Sequence, residues 1–176
     1  PVPTIEHPDD VLVRVSAGSI NPADVKQMDG SMRLLMDRPF PVKPGFDFSG
    51  VVVAVGSNVG TDALDVKVGD EVCGMVRGLR TGTTAEFIAV DKHVVVRKPG
   101  NVTHEQAAAV PLAALTAMQC FVLGGLTPSP ETRKGTSVLV TGGAGGVGTF
   151  AIQLAKHMFG VERVVTTASA GEKTEL

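Results

Sequence analysis

Hydrophobic and polar residues alternate first at 11–17, VLVRVSA, a period of two that predicts a strand. GSINPAD at 18–24 breaks the alternation, and its Asn-Pro pair predicts a turn. A proline-punctuated loop is expected from Pro39 to Gly45, and GVVVAVG at 50–56 is the strongest β run of the first half. Gly69-Asp70 turns the chain into EVCGMV, and AEFIAVD at 85–91 and HVVVRKP at 93–99 read as two more short strands. Short strands separated at close intervals by Gly and Pro predict a β-barrel-like module. Beyond Asn101 the period lengthens. Thr103 suits a helix N-cap, with Glu105 and Gln106 in the first turn. Ala107 to Leu123 is rich in alanine and leucine and broken by Pro111, which predicts a short helix, a kink and a longer helix from about Leu112. Gly124-Gly125 ends it, and Leu126 to Lys134 is a loop.

The next stretch carries chemistry. Ser137 to Thr141 is a short apolar run rich in β-branched residues, and therefore a buried strand. Gly143, Gly145 and Gly148 follow in G-x-G-x-x-G spacing, after which Val147, Ala151, Ile152, Leu154 and Ala155 recur at helical intervals. A second strand, Arg163 to Ala168, completes a βαβ unit. Strand, glycine turn and helix in that order make a dinucleotide fingerprint. The glycines permit a tight turn and a close approach of the backbone to a pyrophosphate, which the helix N-terminus attracts. Gly143, Gly145, Gly146, Val147 and Gly148 are the cofactor-binding candidates of this turn. An NAD site places an acidic residue at the tip of the second strand to hold the ribose 2′-hydroxyl. Here the tip reads Thr166-Thr167-Ala168-Ser169, followed by Lys173. Ser169 and Lys173 can hold a 2′-phosphate, so the expected cofactor is NADPH; Glu172 argues the other way.

Composition narrows the alternatives. With 43% hydrophobic residues, 21 glycines and 11 prolines the chain suits a turn-rich α/β or β-rich fold. A net charge of −2 with no basic run excludes nucleic acid and anionic membrane surfaces as expected partners. No apolar run approaches the ~20 residues of a membrane span. Two cysteines, Cys73 and Cys120, build neither a disulfide framework nor a Cys-rich zinc site; both sit in apolar runs, are expected to be buried, and point to a reducing compartment. The four histidines have no catalytic neighbours in sequence, and His104 and His157 are expected at the surface. The chain starts at Pro1 without a signal pattern, as if any targeting segment were removed or left out, and the compartment stays open. A single βαβ unit leaves its parallel strands uncovered, so a portion of a longer polypeptide is expected.

Several blocks together resemble the medium-chain dehydrogenase/reductase superfamily, in its zinc-independent quinone oxidoreductase and alkenal/enone reductase branch. They are the GGAGGVG turn running through Gln153 to Lys156, Pro44-Gly45-Phe46-Asp47-Phe48-Ser49-Gly50, and Asn21-Pro22-Ala23-Asp24-Val25-Lys26. Gly69-Asp70-Glu71-Val72, Ala85-Glu86-Phe87 and the stretch Ala108 to Ala117 match as well, so the resemblance spans essentially the whole chain. It implies an α/β protein: a GroES-like β-barrel catalytic domain, here 1–110, and then the first part of a Rossmann (doubly wound parallel) domain, here 111–176. The active site would lie in the cleft between the two domains. It also implies hydride transfer from NADPH to an α,β-unsaturated carbonyl or a quinone, and commonly a dimer. A structural subunit of a larger assembly is the alternative. Zinc-dependent relatives carry Gly-His-Glu where this chain has Gly45-Phe46-Asp47, and an early cysteine where it has Ser19-Ile20-Asn21, so no metal is expected.

Without a metal, the developing enolate needs a hydrogen-bond donor. Asn21 either donates to the substrate oxygen or caps a turn, and Lys26 is either a second donor or a solvated lysine. Asp47 and Asp24 are expected to hold loop N–H groups. Thr116, in the resembled Leu-Thr-Ala motif, either faces the nicotinamide or its phosphates or bonds back to the preceding helical turn.

Overall fold

The computed structural model describes residues 2–31, 43–60, 66–76, 82–129, 131 and 133–171. The chain divides into two compact units, Pro1–Leu112 and Ala113–Leu176.

The first unit is built on a five-stranded antiparallel sheet. Its strands are β1 (Asp10–Gly18), β2 (Asp47–Val55), β3 (Glu71–Met75), β4 (Phe87–Asp91) and β5 (Val95–Arg97), in the order β4-β1-β2-β3-β5. The alternation at 11–17 emerges as burial on one face: Val11 and Val13 are fully buried with Phe48, Val52, Val72 and Ile88 in one cluster. The β1–β2 register slips between Leu12 and Val13 and again between Val15 and Ala17, irregularities of the kind that curl a sheet. Where a strand was expected at 93–99, residues Lys92–Val94 instead form a short 3-10 turn, capped by Asp91 accepting from His93 N, and β5 is short.

Two helices complete this unit. The Asn-Pro turn is in fact the start of α1 (Pro22–Met28). Asn21 is its N-cap, Pro22 supplies a first residue with φ already helical, and Asp24 accepts from Asn21 N at 2.7 Å. Helix α2 (His104–Ala108) is capped by Thr103, whose hydroxyl accepts from Gln106 N while Gln106 Oε1 accepts from Thr103 N. It packs across β1, β2 and β3, burying Ala107 and Ala108.

Helix α3 (Pro111–Leu123) begins as the first unit ends, and Pro111 opens it rather than kinking it. In the second unit, β6 (Arg133–Val140) and β7 (Val161–Thr166) are parallel and joined through α4 (Gly146–His157). Both strands start earlier than their apolar runs, because Arg133 pairs with Val161, itself buried at 2% exposed. Ala117 and Phe121 of α3 share a core with Ala151, Ala155 and Phe159, and the Phe121 and Phe159 rings lie 5.0 Å apart.

Candidate functional site

Each unit carries one polar arrangement of interest. In the second unit, the chain leaves β6 through the turn 141–145 and enters α4. Gly142 sits at φ +71, in the region that favours glycine. The tip of β7 holds this turn from the side. Gly142 N donates to Thr167 Oγ1 at 3.0 Å and Gly143 N to Thr167 O at 2.9 Å, while Thr166 Oγ1 donates to Val140 O at 2.8 Å. Neither threonine was singled out from the sequence, where they read only as strand residues.

The glycines of the turn have different reasons to be glycine. A Cβ on Gly143 would lie 2.0 Å from Thr166 Oγ1, and one on Gly148 would lie 2.3 Å from Gly142 O and 2.7 Å from Gly143 Cα. Those two residues let helix, turn and strand close on each other. A Cβ on Gly146 would meet nothing within 4 Å, and this glycine is exposed.

Gly145, the N-cap of α4, offers no side-chain cap. Thr149 N makes the bond back to Gly145 O at 2.9 Å, so the N–H groups of Gly146, Val147 and Gly148 precede it, and among the described residues no side chain takes them. Free N–H groups at the positive end of a helix, with open space over Gly146, suit an anion such as a dinucleotide pyrophosphate.

Of the other cofactor candidates, Ser169 is exposed three residues beyond β7 and Thr116 is half-buried on α3. Lys173 and Glu172 lie outside the described residues. An apolar groove of about 400 Å³ runs beside the turn, lined by Ala117, Cys120, Phe121, Val138, Val147 and Ala151. Cys120 was expected to be buried; it is exposed at this groove, one turn along α3 from Ala117, which lines the groove too. Cys73 is buried in β3 as expected, and burial pushes its thiol up from its ordinary value.

In the first unit, the blocks containing Asn21 and Asp47 meet. Asp47 is fully buried at the start of β2. Its Oδ2 accepts from Ser19 Oγ at 2.7 Å and from Asn21 Nδ2 at 2.8 Å; its Oδ1 accepts from Leu112 N at 2.8 Å. Asn21 Nδ2 is also 3.1 Å from Ser19 Oγ. Asp24, buried on α1, accepts from Gly45 N at 3.0 Å, and Gly45 at φ +101 needs the absence of a side chain. Thr83 bonds the Asp47 carbonyl through Oγ1 and Gly45 O through its N–H, locking the two ends of the Gly45-Phe46-Asp47 turn. Asp24 thus holds a loop N–H as anticipated, whereas the one backbone N–H on Asp47 belongs to the first turn of α3, and its other two donors are side chains.

Burial pushes the Asp47 carboxyl above its ordinary value, against the pull of Ser19, Asn21 and Leu112 N, and the charge of Asp24 adds to the push. Lys26 is not part of this cluster; it is exposed on α1, where its charge acts on Asp29. Phe46, where zinc-dependent relatives place histidine, is buried apolar surface. Among the described residues no group of three or more His, Cys, Asp or Glu side chains could hold a metal ion. No described helix is long and apolar enough to cross a membrane.

His104, expected at the surface, is half-buried: its Nδ1 lies 2.8 Å from Ser49 Oγ and its Nε2 3.4 Å from Glu71 Oε1. Ser49 gives its one hydroxyl hydrogen to Val72 O at 2.8 Å, so His104 Nδ1 is the donor in the bond between them.

Residues 7–100 match the alcohol dehydrogenase GroES-like domain. The chain is 41% identical to a 2-methylene-furan-3-one reductase of Solanum lycopersicum, over 97% of this chain and 42% of the relative. It is 43% identical to an NADPH-dependent alkenal/one oxidoreductase, chloroplastic, of Arabidopsis thaliana, over 99% of this chain and 44% of the relative. The solved quinone oxidoreductase of Coxiella burnetii superposes with a TM-score of 0.80 at 35% identity, covering 97% of this chain and 50% of that one. The chain thus spans about half the length, or less, of the proteins it matches. It belongs to the medium-chain dehydrogenase/reductase family, in the quinone oxidoreductase and enone reductase branch.

Proposed function

We propose that the protein carrying this chain is an NADPH-dependent reductase of α,β-unsaturated carbonyls or quinones that works without a metal. The observation that supports this most is the uncapped start of α4, with three N–H groups and open space over Gly146. Bound there, NADPH supplies the hydride that adds to the β-carbon of the enone or to the quinone. Gly146, Val147 and Gly148 donate to the pyrophosphate, while Gly143, Gly145 and Gly148 keep helix and strand close enough for it to approach. Ser169 and Lys173 receive the 2′-phosphate, and Thr116 contacts the nicotinamide side of the cofactor. That preference agrees with the NADPH named for the Arabidopsis relative.

As the hydride arrives, negative charge moves to the carbonyl oxygen and needs a donor. Asn21 supplies it. One of its amide hydrogens stays bonded to Asp47, and the other, facing Ser19 at the longer 3.1 Å, switches its hydrogen bond to the developing oxyanion, a stronger acceptor than a serine hydroxyl, with the N–H bond intact. Lys26, exposed on α1, is the second donor in this reading. Water then protonates the α-carbon.

Fluorescence titration of the protein with NADPH, with NADH as control, tests the cofactor half of this reading. Saturable binding at least ~10-fold tighter for NADPH is expected, and equal affinities would overturn the 2′-phosphate assignment. Turnover that disappears on chelation and returns with zinc would overturn the metal-free one.

A further inference from the structure

Three donors from two parts of the chain converge on one buried carboxylate. Ser19 and Asn21 lie just before α1, and Leu112 N lies in the first turn of α3. An ionised carboxylate accepts and never donates, so the end of the Asn21 amide turned toward Asp47 is nitrogen, and the amide cannot be flipped. Ser19 gives its single hydroxyl hydrogen to Asp47 Oδ2, which leaves it only a lone pair for Asn21. The two hydrogens of the Asn21 amide therefore face unequal acceptors, one charged and fully buried, the other neutral and half-buried. Leu112 N holds the far oxygen of Asp47, so the carboxylate cannot swing away when Asn21 is pulled by a ligand.

We infer that Asp47 is the positioning residue of this site, fixing the Asn21 amide so that its Ser19-facing hydrogen is the one presented to a ligand oxygen that turns negative. The inference rests on the hydride-transfer reading and deepens it. A carboxylate is an expensive residue to bury for packing alone, and Phe46 beside it already fills core volume. What the carboxylate adds is a fixed orientation for a neutral amide that has no charge of its own to direct it.

The arrangement is also sensitive to acid. The group whose charge acts on Asp47 among the described residues is Asp24 of α1, and with burial it raises the Asp47 carboxyl above 3.8. Folding disfavours ionised Asp47, so its share of stability is full below about pH 3.8 and falls as pH rises through the raised folded value. The anchoring of Asn21 runs the other way. It needs the ionised form and is lost as pH falls through that same value.

The test is steady-state kinetics on the whole protein with NADPH and either 3-buten-2-one or menadione. Asp47→Asn should lower kcat on the order of 10²-fold, with the NADPH Kd within about twofold of wild type. Asp47→Glu should recover part of the loss. Adding Asn21→Ala to Asp47→Asn should lower kcat little further, because the two residues act as a unit. The acid limb of the wild-type kcat/KM profile should vanish in Asp47→Asn. A measurement on wild type alone covers the case in which Asp47→Asn does not fold: the Asn21 side-chain amide resonances should shift with pH, with a midpoint above the ordinary aspartate value. A folded Asp47→Asn that turns over at the wild-type rate, or Asn21 resonances that do not titrate, would overturn the positioning role and leave the hydride-transfer reading standing. Wild-type protein that reduces neither probe would overturn that reading, and the role with it.

Discussion

Replacing Gly146 with alanine separates what the fold needs from what a ligand needs. The residue is exposed, its φ is not positive, and an added Cβ would meet nothing within 4 Å. Alanine is better than glycine inside a helix by up to about 1 kcal/mol, and as the first residue of α4 this position should realise only part of that. Melting should therefore stay unchanged or rise by at most about 2–4 °C. Cofactor binding should move the other way. A phosphate oxygen held at about 2.9 Å by the N–H groups of Gly146 to Gly148 occupies the space a methyl group would claim. Losing one such charge-assisted contact should weaken NADPH at least ~10-fold, or about 1.4 kcal/mol. Gly148→Ala is the counter-experiment. Its Cβ would sit 2.3 Å from Gly142 O, a backbone atom that cannot yield, so the helix must lift from the turn, at about 1–3 kcal/mol of stability. Thermal melts and NADPH titrations on both variants complete the test. Wild-type NADPH affinity in Gly146→Ala would refute the placement of the phosphates at the start of α4.

Other consequences follow from the same geometry. Asn21→Ala should lower kcat far more than it raises the Kd for NADPH, and unchanged turnover would remove Asn21 from the chemistry. Ser169→Asp puts a carboxylate where a 2′-phosphate is proposed to sit; the ratio of NADPH to NADH affinity should fall at least ~10-fold, and an equal effect on both cofactors would count against that location. His104→Ala removes the donor to buried Ser49 that pins α2 to β2, and should destabilise the first unit by about 1 kcal/mol. A melting curve identical to wild type would mean that the bond contributes nothing net.

The glycine turn was legible because its chemistry is local: three glycines, a strand before and a helix after sit within about twenty residues and need no partner to be recognised. The first unit was legible in its strands but not in its site. Asn21 and Asp47 were each noted, but the bond between them spans 26 residues, and nothing in either block reveals it. Asn21-Pro22 was read as a turn although Asn, Pro and Asp at these spacings also open a helix, as they do for α1; the tertiary demand on Asp24 decided between the two. His104 and Cys120 were misplaced for one reason. A helix surrounded by apolar residues does not disclose which side meets a neighbour, and here Ser49 drew His104 inward while Cys120 faces the open groove.

The way β7 grips the glycine turn bears on how such a protein could change its diet of cofactor over evolutionary time. The grip ends at Thr167, through its carbonyl, its amide and its hydroxyl. Residues 168 and 169, one step further on, make none of those bonds. If the turn cradles phosphates as proposed, mutation can explore residues 168 and 169 while the turn is inherited intact, and cofactor selectivity becomes a trait that drifts without endangering binding. On that reading, a lineage carrying this joint can trade one nicotinamide cofactor for the other by small substitutions, whereas a change at Thr166 or Thr167 would loosen the turn that serves both.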